Sequence, residues 1–241
     1  MTLVTKKISK KSIEEDLINI LHKKFGERFL NYRKKYSEYL HKKKISNYIL
    51  CESSKKNLKS DNLDIIYLKN LSFKFKKGKI YSLSGPSGSG KSTLLNLISL
   101  IDRPSSGNIK IDNQNINHSE IEINDKIRSN NIGIVYQEKN LLPDFTAIEN
   151  VCLASLAANN NHKIAEQESL KIIQKVGLKD RINHFPSELS GGELQRIAIS
   201  RAIVNKPRII LADEPTGSLD HENASQIFNL LFKLKNRDRV I

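Results

Sequence analysis

Residues 85–92, Gly85-Pro86-Ser87-Gly88-Ser89-Gly90-Lys91-Ser92, space glycines ahead of a lysine and a hydroxyl in the pattern G-x-x-x-x-G-K-[ST]. Glycines at such spacing let successive backbone N–H groups turn inward around phosphate oxygens. The run KIYSLSG at 79–85 reads as a buried strand feeding the turn, and a helix opens at Lys91, whose N-terminal dipole adds to the anion site. Lys91 then reaches the terminal phosphates, the Ser92 hydroxyl stands ready for a Mg²⁺ ion, and Thr93 completes the set. The chemistry implied is the holding of a nucleoside triphosphate.

Such a site needs carboxylates to organise metal and water. RIILADE supplies them: Ile209 to Ala212 carry a strand to its edge, where Asp213 and Glu214 emerge. Asp213 would hold Mg²⁺ through water, and Glu214 would act as base or orienter for an attacking water. A second anion-binding device follows the same logic. In LSGGELQR, Leu189 to Arg196, the residues Ser190, Gly191 and Gly192 lie at a helix start, with Glu193 and Gln195 in the first turns. One chain rarely wraps both devices around one triphosphate. A dimer, in which this segment of one subunit closes over the phosphates held by the other, is a simple solution. The plain alternative, Ser190 as an ordinary helix cap, is weakened by Gln195 and Arg196 behind it.

Elements must position these groups. YIL at 48–50, IIYL at 65–68 and FKF at 73–75 read as strands, as do NIKID at 108–112, NIGIVYQ at 131–137 and PRIILADEP at 207–215. Residues 147–180 are mostly helical, a helix begins near Gly192, and the last runs from about Asn223 to Leu234. Alternating strands and helices predict an α/β core with a parallel sheet, and the helix-rich middle an inserted subdomain over about 138–190. Residues 1–47 read as a separate basic helix: Ser12 and Glu15 fit a capping box, and Ile13, Leu17, Leu21, Phe25 and Phe29 form an apolar stripe. Such a helix packs on the main domain or a partner, or lies on an anionic membrane; both readings stay open.

The 241 residues suffice for one large domain with an appendage. Net charge is +14, and residues 1–50 hold 13 Lys/Arg against 5 Asp/Glu, so the surplus is concentrated at one end. Cys51 and Cys152 have no partner spacing for metal or redox work. No run approaches the roughly 18 apolar residues that cross a bilayer, so a membrane role would come through contact.

These motifs together resemble the ATP-binding subunits of ABC transporters, over about residues 48–241. In that family LSGGELQR is the signature motif and ILADEP the Walker B strand. The resemblance implies a P-loop NTPase core with a parallel sheet, an antiparallel β subdomain and an inserted helical subdomain. It makes Gln137, in VYQEKNLL, the Q-loop glutamine, a catalytic and Mg²⁺-binding residue beside Ser92 and Asp213. It makes GSLD a D-loop, with Ser218, Leu219 and Asp220 touching the opposite subunit. It implies ATP and Mg²⁺ as cofactors, a head-to-tail homodimer with ATP at its interface, and transmembrane permease subunits contacted near Gln137–Val151. LLPDFTAIENV at 141–151 and HFPSELSGGELQRIAISRAIVNKPRIILADEPTGSLD at 184–220 are most similar to the lipoprotein-releasing (LolD-type) branch. Macrolide-export and cell-division relatives carry similar segments. The implied cargo is lipoprotein, and the implied place the cytoplasmic face of the bacterial inner membrane, peripherally bound.

Three departures stand out. About 47 residues precede the family's usual start; Asn57 and Leu58 stand where an adenine-stacking aromatic is expected; and KNRDRVI ends at Ile241, where a strand with a switch histidine would follow. The C-terminal end of the core is therefore expected to be missing, and hydrolysis by this polypeptide to be weak or absent. Nucleic acid is not an expected partner: Lys91 and Ser190 are 99 positions apart, without the long coiled coil of repair relatives or the tandem ATP domains of translation relatives.

Overall fold

The computed structural model describes residues 71–84, 89–158 and 160–241, all within one compact unit, Tyr67–Ile241. The elements expected before residue 71, Asn57 and Leu58, and Gly85, Pro86, Ser87 and Gly88 lie outside the described residues. The element order is α1 (Lys91–Ile98), β1 (Lys110–Ile111), β2 (Gln114–Asn115), α2 (Ile121–Asn131), β3 (Ile132–Val135), α3 (Ala147–Ala157), α4 (His162–Lys175), α5 (Gly191–Ile203), β4 (Ile209–Ala212) and α6 (His221–Lys233).

β3 and β4 pair in parallel, Ile132 opposite Ile209 and Val135 opposite Ala212. Parallel neighbours need a long crossover, and here α3, α4 and α5 supply it. Side chains alternate across the pair. Ile132 and Leu211 face a cluster with Leu100, against which Leu95 and Ile98 of α1 and Ile127 of α2 pack. Val135 and Ile210 face the other way, onto Ile199 and Ile203 of α5 and Ile227 and Leu231 of α6. The pair thus has helices on both faces, as a buried parallel sheet requires. Gly133 belongs to the second face, and a Cβ there would overlap the Ala202 carbonyl and lie 3.0 Å from Pro207 Cγ. Only glycine lets α5 approach the sheet this closely.

The helical layer is built from local signals that the chain carries. Thr146 and Glu149 form a reciprocal capping box at the start of α3, and Asn161 caps α4. α3, α4 and α5 share a core of Val151, Ile173, Leu178, Leu189 and Ile197. Asn205, past the end of α5, donates to the carbonyls of Ser129 in α2 and Ala154 in α3 at 3.0 and 2.9 Å, joining this layer to the sheet.

Two expected strands turn out differently. FKF at 73–75 forms no ladder among the described residues; Phe73, Phe75 and Tyr81 instead pack edge to face. The run 79–84 is not a buried strand: Ile80 and Leu83 are exposed. Its backbone contacts are with 239–241, through Tyr81 N–H to the Ile241 carbonyl (2.8 Å) and Ile241 N–H to the Lys79 carbonyl (3.2 Å). Val240 in turn bridges Ile209 in parallel. The order across this region is therefore 79–81, 239–241, β4, β3. NIKID forms β1, closed on β2 by Asp112 and Asn113 in left-handed conformation, a hairpin turn suited to these side chains. The hairpin tip is tied down by Asp112, whose carboxylate accepts from Lys77 and Arg208 at 2.6 Å each.

Candidate functional site

α1 begins at Gly90, which is buried and has φ 87°, ψ 13°, a conformation that glycine adopts without steric cost. Gly90 itself has no side chain with which to cap the helix. Ser89 and Ser92 are exposed, and Lys91 and Thr93 half-buried, at this end. The packing of Leu95 and Ile98 on the β3–β4 face fixes the helix against the sheet.

At the edge of that sheet, Asp213 continues the ladder by one bond, its N–H donating to the Val135 carbonyl at 2.9 Å. Asp213 is half-buried, while Glu214 is exposed and held at φ 44°. A left-handed non-glycine residue costs about 1–3 kcal/mol and persists where surrounding structure imposes it. Here a turn does so, closed by Gly217 N–H to the Glu214 carbonyl at 3.0 Å. A Cβ on Gly217 would stand 3.3 Å from Gln137 Nε2 and 3.5 Å from Glu214 Oε2. The absent side chain leaves the room in which these two groups converge. Gln137 and Glu214, 77 positions apart, are thus brought together.

The stretch after Gln137 is fixed from α5. Arg201 donates to the carbonyls of Lys139 and Asn140 at 2.8 and 2.6 Å, and Asn140 turns the chain at φ 47°. Lys139 Nζ donates to Ser218 Oγ at 2.6 Å. Further on, buried Asn150 accepts from Leu142 N–H and donates to the Phe145 carbonyl at 2.7 and 2.9 Å, shaping the 141–146 loop. Sequence reasoning missed Lys139, Arg201 and Asn150. Their partners at 139–140 and 218 are too far along the chain for a local pattern, though an asparagine just after a capping box was a readable signal for Asn150.

The signature segment divides sharply. Ser190 does cap α5, accepting from Glu193 N–H at 3.3 Å while Glu193 Oε2 accepts from Ser190 N–H at 2.8 Å. That Ser190 N–H bond, helped by Arg181 at 3.1 Å, holds the Glu193 carboxyl below the usual range. Ser190 and Gly191 are exposed. Leu189, Gly192 and Gln195 are buried within the protomer. Leu189 packs in the helical core, and Gln195 lies on the inner face of α5, its Nε2 without a hydrogen-bond partner. A Cβ on Gly192 would overlap Asn223 Oδ1 and lie 2.7 Å from its Cγ. Gly192 therefore serves the close packing of α5 against α6, a role its position in a motif did not disclose.

The 217–220 turn and α6 meet the 189–196 segment inside one protomer. Leu219 Cδ2 is 3.6 Å from where a Gly191 Cβ would be, and Arg196 donates to Gln226 of α6 at 2.9 Å. Asp220 caps α6, and the N–H of Asn223, followed by its side-chain amide, keeps that carboxyl below its ordinary value. Leu219 is half-buried against the sheet core; Ser218 and Asp220 are exposed.

Among the described residues no three His, Cys, Asp or Glu side chains gather as a metal site. The hydroxyl of Ser92, the amide oxygen of Gln137 and the Asp213 carboxylate are hard oxygen donors carrying one formal charge. That set fits a magnesium ion held mainly by phosphate and water. No described helix is long and apolar enough to cross a membrane.

Comparison with known proteins agrees with this arrangement. The sequence model of the family described as ABC transporter matches residues 68–217. The dimeric ATP-binding cassette MJ0796 in a post-hydrolysis state bound to ADP and Pi is 40% identical, at TM-score 0.67, over 75% of this chain and 81% of that one. A second structure, described as a dimeric MJ0796, a bacterial ABC transporter cassette, is 41% identical at TM-score 0.66, over 72% and 78%. A left-handed glycine opening a helix, carboxylates at the end of a parallel strand and a glutamine converging on them are thus accounted for together: the chain belongs to the ABC transporter family, as its ATP-binding, ATP-hydrolysing cassette subunit.

Proposed function

We propose that this cassette drives a transporter that releases lipoproteins from the bacterial inner membrane, working as an ATP-closed homodimer at the cytoplasmic face. The observation that carries the mechanism is the convergence of Gln137 and Glu214 at Gly217, next to Asp213. Two features support the rest. The MJ0796 cassettes are dimers, one of them with ADP and Pi. The segments 141–151 and 184–220 are similar to the lipoprotein-releasing branch. Residues 1–47 make a separate basic extension in this reading, with the cassette over 48–241.

The amides of 85–90, Lys91 and Thr93 bind the phosphate chain, and Ser190 and Gly191 of a second copy close over it. Ser92, Gln137 and Asp213 would hold magnesium, which when bound draws negative charge off the phosphates. Glu214 orients a water and takes its proton at the carboxylate as the water oxygen bonds the γ-phosphorus. The bond to the bridging oxygen breaks, and ADP leaves with that electron pair. Gln137 links this step to the permease, which sits against 137–151.

The test uses the full chain, alone and with the permease that co-purifies from membranes. Lys91→Ala should abolish nucleotide binding; Glu214→Gln should keep binding, lose turnover and trap an ATP-dependent dimer. Proteoliposomes holding the complex should release a lipidated protein on ATP addition. Export of a small hydrophobic molecule, with no lipoprotein released, would reject the cargo assignment. A Glu214→Gln protein that stays monomeric with ATP would reject the closed dimer.

A further inference from the structure

The Lys139–Ser218 bond joins the two loops that flank the catalytic pair, and nothing in the family match accounts for it. Lys139 follows Gln137 by two positions, and Ser218 follows Gly217, the residue around which Gln137 and Glu214 converge. Nζ and Oγ are 2.6 Å apart, a charge-assisted bond spanning 79 positions of sequence. The backbone on the lysine side is already immobilised. Arg201 grips the Lys139 and Asn140 carbonyls, and Asn140 is locked left-handed. The serine side is a short turn, closed by Leu219 N–H to Thr216 at 3.1 Å and anchored by Leu219 in the core. A side chain thrown from an anchored loop to a short turn sets the spacing between them.

We infer that Lys139 is a positioning residue that fixes the D-loop against the Q-loop and so holds Gln137 and Glu214 at their working separation. It acts through Ser218. The inference rests on the proposed roles of Gln137 and Glu214. A second consequence is that movement of either loop is transmitted to the other without passing through the sheet.

The experiment measures ATP hydrolysis, with kcat and KM determined separately, for the full chain and for Lys139→Met, Ser218→Ala, the double variant and Lys139→Arg. In the same proteins, amide hydrogen exchange is followed in peptides covering 136–142 and 215–220. Each single variant is expected to lower kcat about fivefold with KM within about twofold, less than the full worth of one charge-assisted hydrogen bond because the tie is exposed to solvent. The double variant should be no worse than the single ones, and Lys139→Arg should retain most activity. Exchange should quicken in 215–220 for Lys139→Met and in 136–142 for Ser218→Ala. Losses that multiply in the double variant, a loss carried by KM, or faster exchange confined to the substituted segment would overturn the inference. Should the unsubstituted chain not hydrolyse ATP, reciprocal exchange decides the tie by itself, and exchange confined to the substituted segment overturns the inference.

Discussion

Gly191 and Gly192 are neighbours in one motif, and the structure predicts opposite responses to a methyl group. At Gly191 an added Cβ meets only Leu219 Cδ2 at 3.6 Å, ordinary contact. Alanine there should stabilise by about 0.4–1 kcal/mol, because it restricts the unfolded chain. At Gly192 the same Cβ overlaps the Asn223 side chain. That side chain is not free to swing away, since its Nδ2 donates to Asp220 Oδ2 at 2.6 Å and Asp220 caps α6. Overpacking costs about 1–3 kcal/mol, and the same unfolded-state gain offsets part of it, leaving a net loss of about 1–2 kcal/mol. For a domain of this size that lowers Tm by roughly 2–8 °C. Urea and thermal unfolding of Gly191→Ala, Gly192→Ala, Asn223→Ala and Gly192→Ala/Asn223→Ala measure this. The double variant, with the obstructing amide removed, should lose less than its two single substitutions combined. Equal stability of the two alanine variants would refute the packing argument and return Gly192 to a purely ligand-facing role.

Other consequences are simpler. Gly133→Ala drives a methyl into the Ala202 backbone rather than into a movable side chain, so a loss of about 3 kcal/mol or more is expected in denaturant unfolding. Glu168 accepts from Lys206 and Lys171 at 2.9 Å each, and chiefly the Lys206 bond brings its pKa down to about 2. Because the folded pKa lies below the unfolded one, the stabilisation is complete above about pH 4.5 and lost as pH falls toward 2. Stability measured through that window should depend less steeply on pH in Glu168→Gln. Arg201→Met frees the Lys139 and Asn140 carbonyls, and hydrogen exchange in 137–142 should quicken while ATP affinity, assigned to 85–93 in the proposed function, changes less than about twofold.

Much of the site was legible before folding because its chemistry is local. A turn that must curl around phosphates needs its glycines, lysine and hydroxyl within eight residues, and a strand that delivers carboxylates to an edge needs only an apolar run ending in Asp213 and Glu214. β3, β4, α3, α4, α5 and α6 were readable for the same reason, through apolar runs and periodic stripes. α2 was not: Ile121 and Ile123 are exposed, and IEINDKIRSNN offers little apolar periodicity. The strand expected at 79–85 failed because an apolar run states a preference for burial, whereas a ladder depends on which backbone lies alongside.

The sequence by itself determined the nucleotide chemistry and the family, since eight contiguous positions, one short strand ending in carboxylates and the helix start LSGGELQR carry them. Tertiary structure alone decided which motif residues face outward: Ser190 and Gly191 do, while Leu189, Gly192 and Gln195 are consumed by packing. It alone also brought Gln137 beside Glu214 and Lys139 onto Ser218. The reason is physical. A motif specifies backbone conformation over one turn of chain, but contacts across 77 or 79 positions depend on how helices seat against a sheet, and no local pattern encodes that.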